Sequence, residues 1–97
     1  MIQNTILSAL TARKSVRVFT DDPITAEERG AILHAAFQAP TAGNQQLYTI
    51  LDITDPALKA RLADLCDHQP FTAKAPLVLV FLADCRRWLN AYHAHVY

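Results

Sequence analysis

The chain is 97 residues long, room for one small domain with a modest core. Nine basic and nine acidic residues cancel, which argues against a general nucleic-acid binder and against a polybasic membrane anchor. The hydrophobic fraction of 52% is generous for so short a chain, so some apolar surface is expected to face a partner chain or a further part of the same one.

The longest apolar run, Leu77 to Ala83, is far too short to span a bilayer, and the start Met1-Ile2-Gln3-Asn4 lacks the pattern of a signal peptide. Two cysteines, Cys66 and Cys85, make no disulfide framework, which fits free thiols in a reducing cytoplasm. No repeat or low-complexity tract is visible.

Ile2, Ile6, Leu7 and Leu10 recur at helical spacing and predict an amphipathic helix from about 3 to 12. The stretch Arg13-Lys14-Ser15-Val16-Arg17-Val18-Phe19 follows. If extended, it aims Ser15, Arg17 and Phe19 the same way, and Arg13 or Lys14 can turn toward the same point from the helix end. Guanidinium forks, an ammonium and a hydroxyl suit a phosphate, although this stretch taken alone reads more simply as a solvated basic loop.

Asp21-Asp22-Pro23 is a turn, and Thr25-Ala26-Glu27-Glu28 has the form of a capping box. Arg29, Ile32, Leu33, Ala36 and Phe37 then line one face of a helix that Pro40 ends. The polar loop Ala39-Pro40-Thr41-Ala42-Gly43-Asn44-Gln45-Gln46 precedes a predicted strand from Tyr48 to Ile53. Asp55-Pro56 opens a helix through about Leu65, with Leu58, Leu62 and Leu65 on one side, and the stretch from Asp67 to Phe71 breaks it. Leu77 to Ala83 shows no alternation and predicts a central strand covered on both faces. Cys85-Arg86-Arg87-Trp88-Leu89 opens another helix, which meets no cap, glycine or proline before Tyr97, so the ending reads as a truncation.

The segment Arg13-x-Ser15-x-Arg17-x-Phe19, the loop Ala39-Pro40-Thr41-Ala42-x-Asn44-x-Gln46 and the strand from Ala75 to Asp84 resemble, in order and spacing, the nitroreductase family of FMN-dependent NAD(P)H oxidoreductases. Gln69 before the last strand is similar to the flavin-reductase and oxygen-insensitive nitroreductase branch. The resemblance covers essentially all of residues 1–97 as the N-terminal part of one FMN-binding domain. It implies an α+β fold, a three-layer α/β/α sandwich with helices around a central, mostly antiparallel sheet, incomplete in this chain. It also implies that Arg13, Ser15 and Arg17 hold the FMN phosphate with Lys14 beside them. Thr41, Ala42, Asn44 and Gln46 would border the ring or ribityl chain, and Gln69 would face the flavin or the nicotinamide.

Thr41 stands where the family usually has serine, and Leu47-Tyr48 replace its common Pro-Trp pair. The implied activity is a ping-pong transfer from NAD(P)H through bound flavin to a nitroaromatic, quinone or flavin acceptor, in a cytoplasmic homodimer. Family members add further helices and strands, a second basic phosphate contact and a partner-embracing extension, none of which follows Tyr97. Two other readings stay open: a non-enzymatic remnant or dimerisation module, and an unrelated small α/β domain that binds a phosphorylated ligand.

Rival constellations are weaker. His93 and His95, two apart on a helix, point away from each other and read as surface histidines. Cys66 and His68 fall two ligands short of a metal site. Cys85 beside Arg86 and Arg87 reads as a packed or incidental thiol more readily than as an activated one. Phe37, Phe71, Phe81 and Trp88 are expected in the core, and Asp52 and Asp84 at strand ends.

Overall fold

A computed structural model describes residues 2–94, so His95 and the pairing considered for it lie outside the described residues. Helix α1 (Thr5–Ala12) begins where the Asn4 side chain accepts the Leu7 backbone N–H at 2.8 Å. Helix α2 (Ala26–Phe37) starts with the predicted capping box. Thr25 Oγ1 accepts from the Glu28 N–H, and the Glu28 carboxylate accepts from the Thr25 N–H, each at 3.1 Å. That reciprocal bonding, backbone first, holds the Glu28 carboxyl below its ordinary pKa.

Strand β1 (Tyr48–Asp52) pairs antiparallel with β2 (Leu79–Ala83), Ile50 opposite Phe81. Between them run α3 (Pro56–Leu65), with Asp55 at its N-cap and proline in its first turn, and the four-residue α4 (Phe71–Lys74). The last helix, α5 (Arg86–Ala94), follows β2 directly. The architecture is therefore α+β, with helices about a two-stranded antiparallel sheet.

Packing between elements concentrates in two places among the described residues. The sheet is one, and its ladder is extended by Ile53 N–H to Val78 carbonyl and by Asp84 N–H to Leu47 carbonyl, each 2.9 Å. The packing of α3 on α4 is the other. Ala63, at 6% exposure, is the one buried residue among those described, and its small side chain lets the two helices approach. Lys59 Nζ donates to the Ala75 carbonyl at 2.6 Å and ties α3 to the chain entering β2. An ion pair between Arg29 and Asp52 docks α2 on the end of β1, and the Phe37 and Tyr48 rings stack at 6.2 Å.

The segment 67–70 turns back on α3. Asp67 and His68 take left-handed φ of 65° and 50°, which sends the His68 and Gln69 N–H groups to the Asp64 and Ala63 carbonyls. Orphan carbonyls at the helix end are satisfied in this way. Sequence reading anticipated the break but missed α4.

Two expectations need correcting. β2 pairs with β1 along one edge only among the described residues, and Phe81 and Leu82 face solvent, so this chain does not cover the strand on both faces. Phe37, Phe81 and Trp88 are likewise exposed rather than in a core, and Phe71 is half-buried. The radius of gyration, 17.7 Å, explains both. A closed globule of about 100 residues would measure about 13 Å. The elements are formed and paired locally, but they do not close over one another.

Candidate functional site

The basic segment leaves α1 in extended backbone. Arg13 caps the helix through its N–H to the Ala9 carbonyl, at φ −61° and ψ 140°. From there the chain carries no helix or strand until α2. Arg13, Lys14, Ser15 and Arg17 are all exposed, and among the described residues no ion pair or side-chain hydrogen bond ties up any of them. Asp21 and Asp22 lie close in sequence but do not pair with these cations. Three cations left without acidic partners favour an external anion.

Arg17 has one fixed neighbour. Its guanidinium carbon sits 5.8 Å from the centre of the Phe71 ring, a cation–π contact that restricts the long side chain. Arg17 and Phe19 line a cleft of about 740 Å³ together with Asp21, Pro70, Phe71 and Lys74. The structure thus brings the end of the basic segment against the stretch that follows Gln69. Gln69 itself is half-buried, and its amide nitrogen donates to the Cys66 carbonyl at 3.1 Å. Its amide N–H therefore serves the end of α3, while the amide oxygen is left to accept.

The polar loop folds into a knot. Ala42–Asn44 form a single 3-10 turn, with Asn44 N–H to the Thr41 carbonyl at 3.0 Å and Gln45 N–H to the Ala42 carbonyl at 3.2 Å. Thr41 Oγ1 accepts the Gln46 N–H at 3.1 Å, which is what a hydroxyl at this position supplies. The Gln46 side-chain amide donates to Asn44 Oδ1 at 3.4 Å. Gly43, Asn44 and Gln46 have φ of 59°, 52° and 53°. Glycine and asparagine tolerate this region, whereas Gln46 must be held there. Thr41, Ala42, Asn44 and Gln46 are thus brought together as one unit. Gln46 lines a separate hollow of about 200 Å³ with Phe37, Tyr48, Thr49, Ile50 and Arg87, so loop and basic segment do not share that wall.

Several residues that shape this region were not singled out for it. Asp84 accepts from the Thr49 hydroxyl and, at 2.9 Å, from the Arg86 N–H at the start of α5. The Thr49 bond first, then the Arg86 N–H, hold its carboxyl below the ordinary carboxylate value against the opposing effect of burial, with the charge of Arg87 the smallest contribution. A depressed folded-state pKa contributes stability that is present above the unfolded value, about pH 4, and is lost as pH falls through the folded one. Asp84→Asn should therefore flatten the loss of thermal stability below about pH 4. An unchanged acid slope in melts across that range would assign the titration elsewhere. Asp84 was legible as a strand-ending aspartate, but its partner Thr49 lies 35 residues away and left no local signal.

The other constellations stay weak. Cys66 and Cys85 are free and exposed, and no cluster of three or more metal-ligating side chains occurs among the described residues. His68 Nδ1 lies 2.6 Å from Asp64 at i,i+4 on an open surface. No described helix is long and apolar enough to cross a membrane.

The described residues thus combine an antiparallel strand pair flanked by helices with a bare cationic segment and a hydrogen-bonded amide loop. Residues 10–97 match the Nitroreductase family, and the chain belongs to that family. It is 33% identical over 84 residues to an FMN reductase [NAD(P)H] of Bacillus subtilis, spanning 87% of this chain and 34% of that protein. It is 37% identical over 84 residues to an oxygen-insensitive NADPH nitroreductase of Salmonella typhimurium, spanning 87% of this chain and 35% of that one.

Among solved structures, the NADPH:FMN oxidoreductase of Vibrio harveyi complexed with NAD+ superposes with a TM-score of 0.88 at 30% identity. That match covers 96% of this chain and 40% of the other. Nitroreductase A of Vibrio parahaemolyticus superposes at 0.91 and 27% identity, covering 96% and 40%. The fold is thus an incomplete nitroreductase-like α+β fold, as the sequence motifs implied. The chain spans about a third of the length of the curated relatives named here.

Proposed function

We propose that residues 1–97 form part of one FMN-binding domain of a cytoplasmic, NAD(P)H-dependent oxidoreductase whose acceptor is a nitroaromatic, a quinone or a flavin. The observation that carries this reading is the exposed set Arg13, Lys14, Ser15 and Arg17, which no acidic side chain among the described residues neutralises, in a chain whose relatives include an FMN reductase and a nitroreductase. In this reading Arg13, Ser15 and Arg17 bind the FMN phosphate and Lys14 adds charge beside them.

The residues present fit that group. Guanidinium forks can grip phosphate oxygens in pairs, and the Ser15 hydroxyl adds a directional donor. Thr41, Ala42, Asn44 and Gln46 border the ring or ribityl chain, and Asn44 and Gln46 can donate or accept as the charge at the ring edge changes. Gln69, with its amide oxygen uncommitted, faces the flavin or the nicotinamide. FMN supplies the hydride and electron chemistry when bound, so the protein's own work is binding, orientation and polarisation.

A second copy of the chain is the proposed partner. α1 packs against no other described helix or strand, although its apolar residues are laid out on a helix. An isolated eight-residue helix is marginal in water, so another surface must support it.

The test is an absorbance spectrum of the purified chain with and without added FMN. Shifted and sharpened flavin bands are expected. A spectrum of added FMN identical to that of FMN in buffer would defeat the reading for this chain.

A further inference from the structure

The loop from Thr41 to Tyr48 contains two non-glycine residues in left-handed backbone, Asn44 and Gln46. Bonds within the loop, the Tyr48 N–H to the Gln46 carbonyl at 2.8 Å among them, do not by themselves account for how its exit is held. Its exit runs instead along the start of α5. Trp88 Nε1 donates to the Gln45 carbonyl at 2.6 Å. Arg87 Nη2 donates to the Gln46 carbonyl at 3.3 Å and to the Tyr48 carbonyl at 3.0 Å. The Asp84 N–H donates to the Leu47 carbonyl at 2.9 Å. Four successive carbonyls, from Gln45 to Tyr48, thus all accept hydrogen bonds from one five-residue segment about 40 residues further along.

The segment is itself fixed at its base. Asp84 binds the Thr49 hydroxyl and the Arg86 N–H, so strand β1, strand β2 and the first turn of α5 meet at one carboxylate. Trp88 also lies against Tyr92, with ring centres 6.4 Å apart. The Nη2 nitrogen of Arg87 serves both carbonyls, its two N–H groups held in the plane of the guanidinium.

We infer that Arg87 and Trp88 are positioning residues, which hold the loop carrying Thr41, Ala42, Asn44 and Gln46 in the conformation that faces the flavin ring. The inference rests on the reading of that loop as flavin-facing. It assigns to α5 a part in cofactor orientation that is separate from the phosphate grip of Arg13, Ser15 and Arg17. Phosphate contacts fix where the cofactor is anchored. The α5 clamp fixes the amides that the ring meets.

Two substitutions isolate the clamp. Trp88→Phe keeps an aromatic ring beside Tyr92 and removes the indole donor. Arg87→Lys keeps the charge and loses the planar guanidinium that directs the two N–H groups. The first readout needs no cofactor: amide hydrogen exchange at Gln46 and Tyr48 should quicken by about tenfold for each lost hydrogen bond, with α3 unchanged. The second readout compares FMN with riboflavin, which lacks the phosphate. Both should bind about tenfold more weakly in each variant, leaving the ratio of the two affinities constant, and the sharpening of the bound flavin bands should fade.

Unchanged exchange in the loop would overturn the clamp. Quickened exchange with unaltered riboflavin affinity and spectrum would overturn its role toward the ring, as would a loss confined to FMN. General quickening that includes α3 would reduce both residues to a stabilising role and also overturn it. If the parent chain binds neither flavin, the functional reading itself fails. The exchange arm then still decides whether α5 holds the loop.

Discussion

Arg17→Ala should weaken FMN binding by about one to two orders of magnitude while leaving the fold almost untouched. The size follows from charge-assisted hydrogen bonds, worth about 1.5–3 kcal/mol each, with about 1.4 kcal/mol per factor of ten. Arg17 is exposed and makes no hydrogen bond or ion pair with another described side chain. It lies over the face of Phe71, and an exposed cation–π contact is worth about 0.5–1 kcal/mol. Binding and stability are therefore separable at this position.

Riboflavin supplies the control. Without a phosphate it should bind parent and variant alike, and the FMN preference should collapse in the variant. Arg17→Lys should fall between the two, because a point charge remains while the paired donors are lost. Titration by flavin fluorescence reads all three. Equal FMN affinity in parent and Arg17→Ala would remove Arg17 from the phosphate site.

What the sequence made legible was the local chemistry. The capping box at Thr25 and the proline-led start of α3 each depend on residues within a few positions of one another, and each formed as read. The basic segment, which leaves α1 in extended backbone at Arg13, was legible as a cluster of cations, with its extension left as a condition. Tertiary placement was not. The Thr49–Asp84 bond and the hydrogen bonds from Arg87 and Trp88 to the loop join residues 35 to 43 positions apart, and no periodicity marks such pairs.

The unbroken apolar run from Leu77 misled in a different way. Such a run describes the environment a strand requires, and the described residues supply only one side of it. The expected burial of Phe37, Phe81 and Trp88 failed on the same ground. Apolar side chains record a covered surface without saying which chain covers it.

That distinction makes α1 the sharpest test of assembly. Ile6 and Leu10 lie one turn apart and are 73% and 63% exposed. Burying an aliphatic side chain of this size contributes about 1.5–3 kcal/mol, so the pair contributes about 3–6 kcal/mol where both are covered. If a second copy covers them, the double substitution Ile6→Glu with Leu10→Glu should weaken self-association by at least about a hundredfold. Charge placed in an apolar contact is itself opposed, which adds to the loss.

The substitutions leave the sheet and the α3–α4 packing alone, since α1 touches neither. Sedimentation across a range of concentrations would read the effect. A parent that associates and a variant that stays monomeric at the same concentration would place α1 in the contact between copies. Identical association of the two would mean that α1 is covered by something other than a second copy of this helix-bearing surface. The contact between copies would then be sought at the open edges of β1 and β2, where unpaired backbone groups can accept another strand.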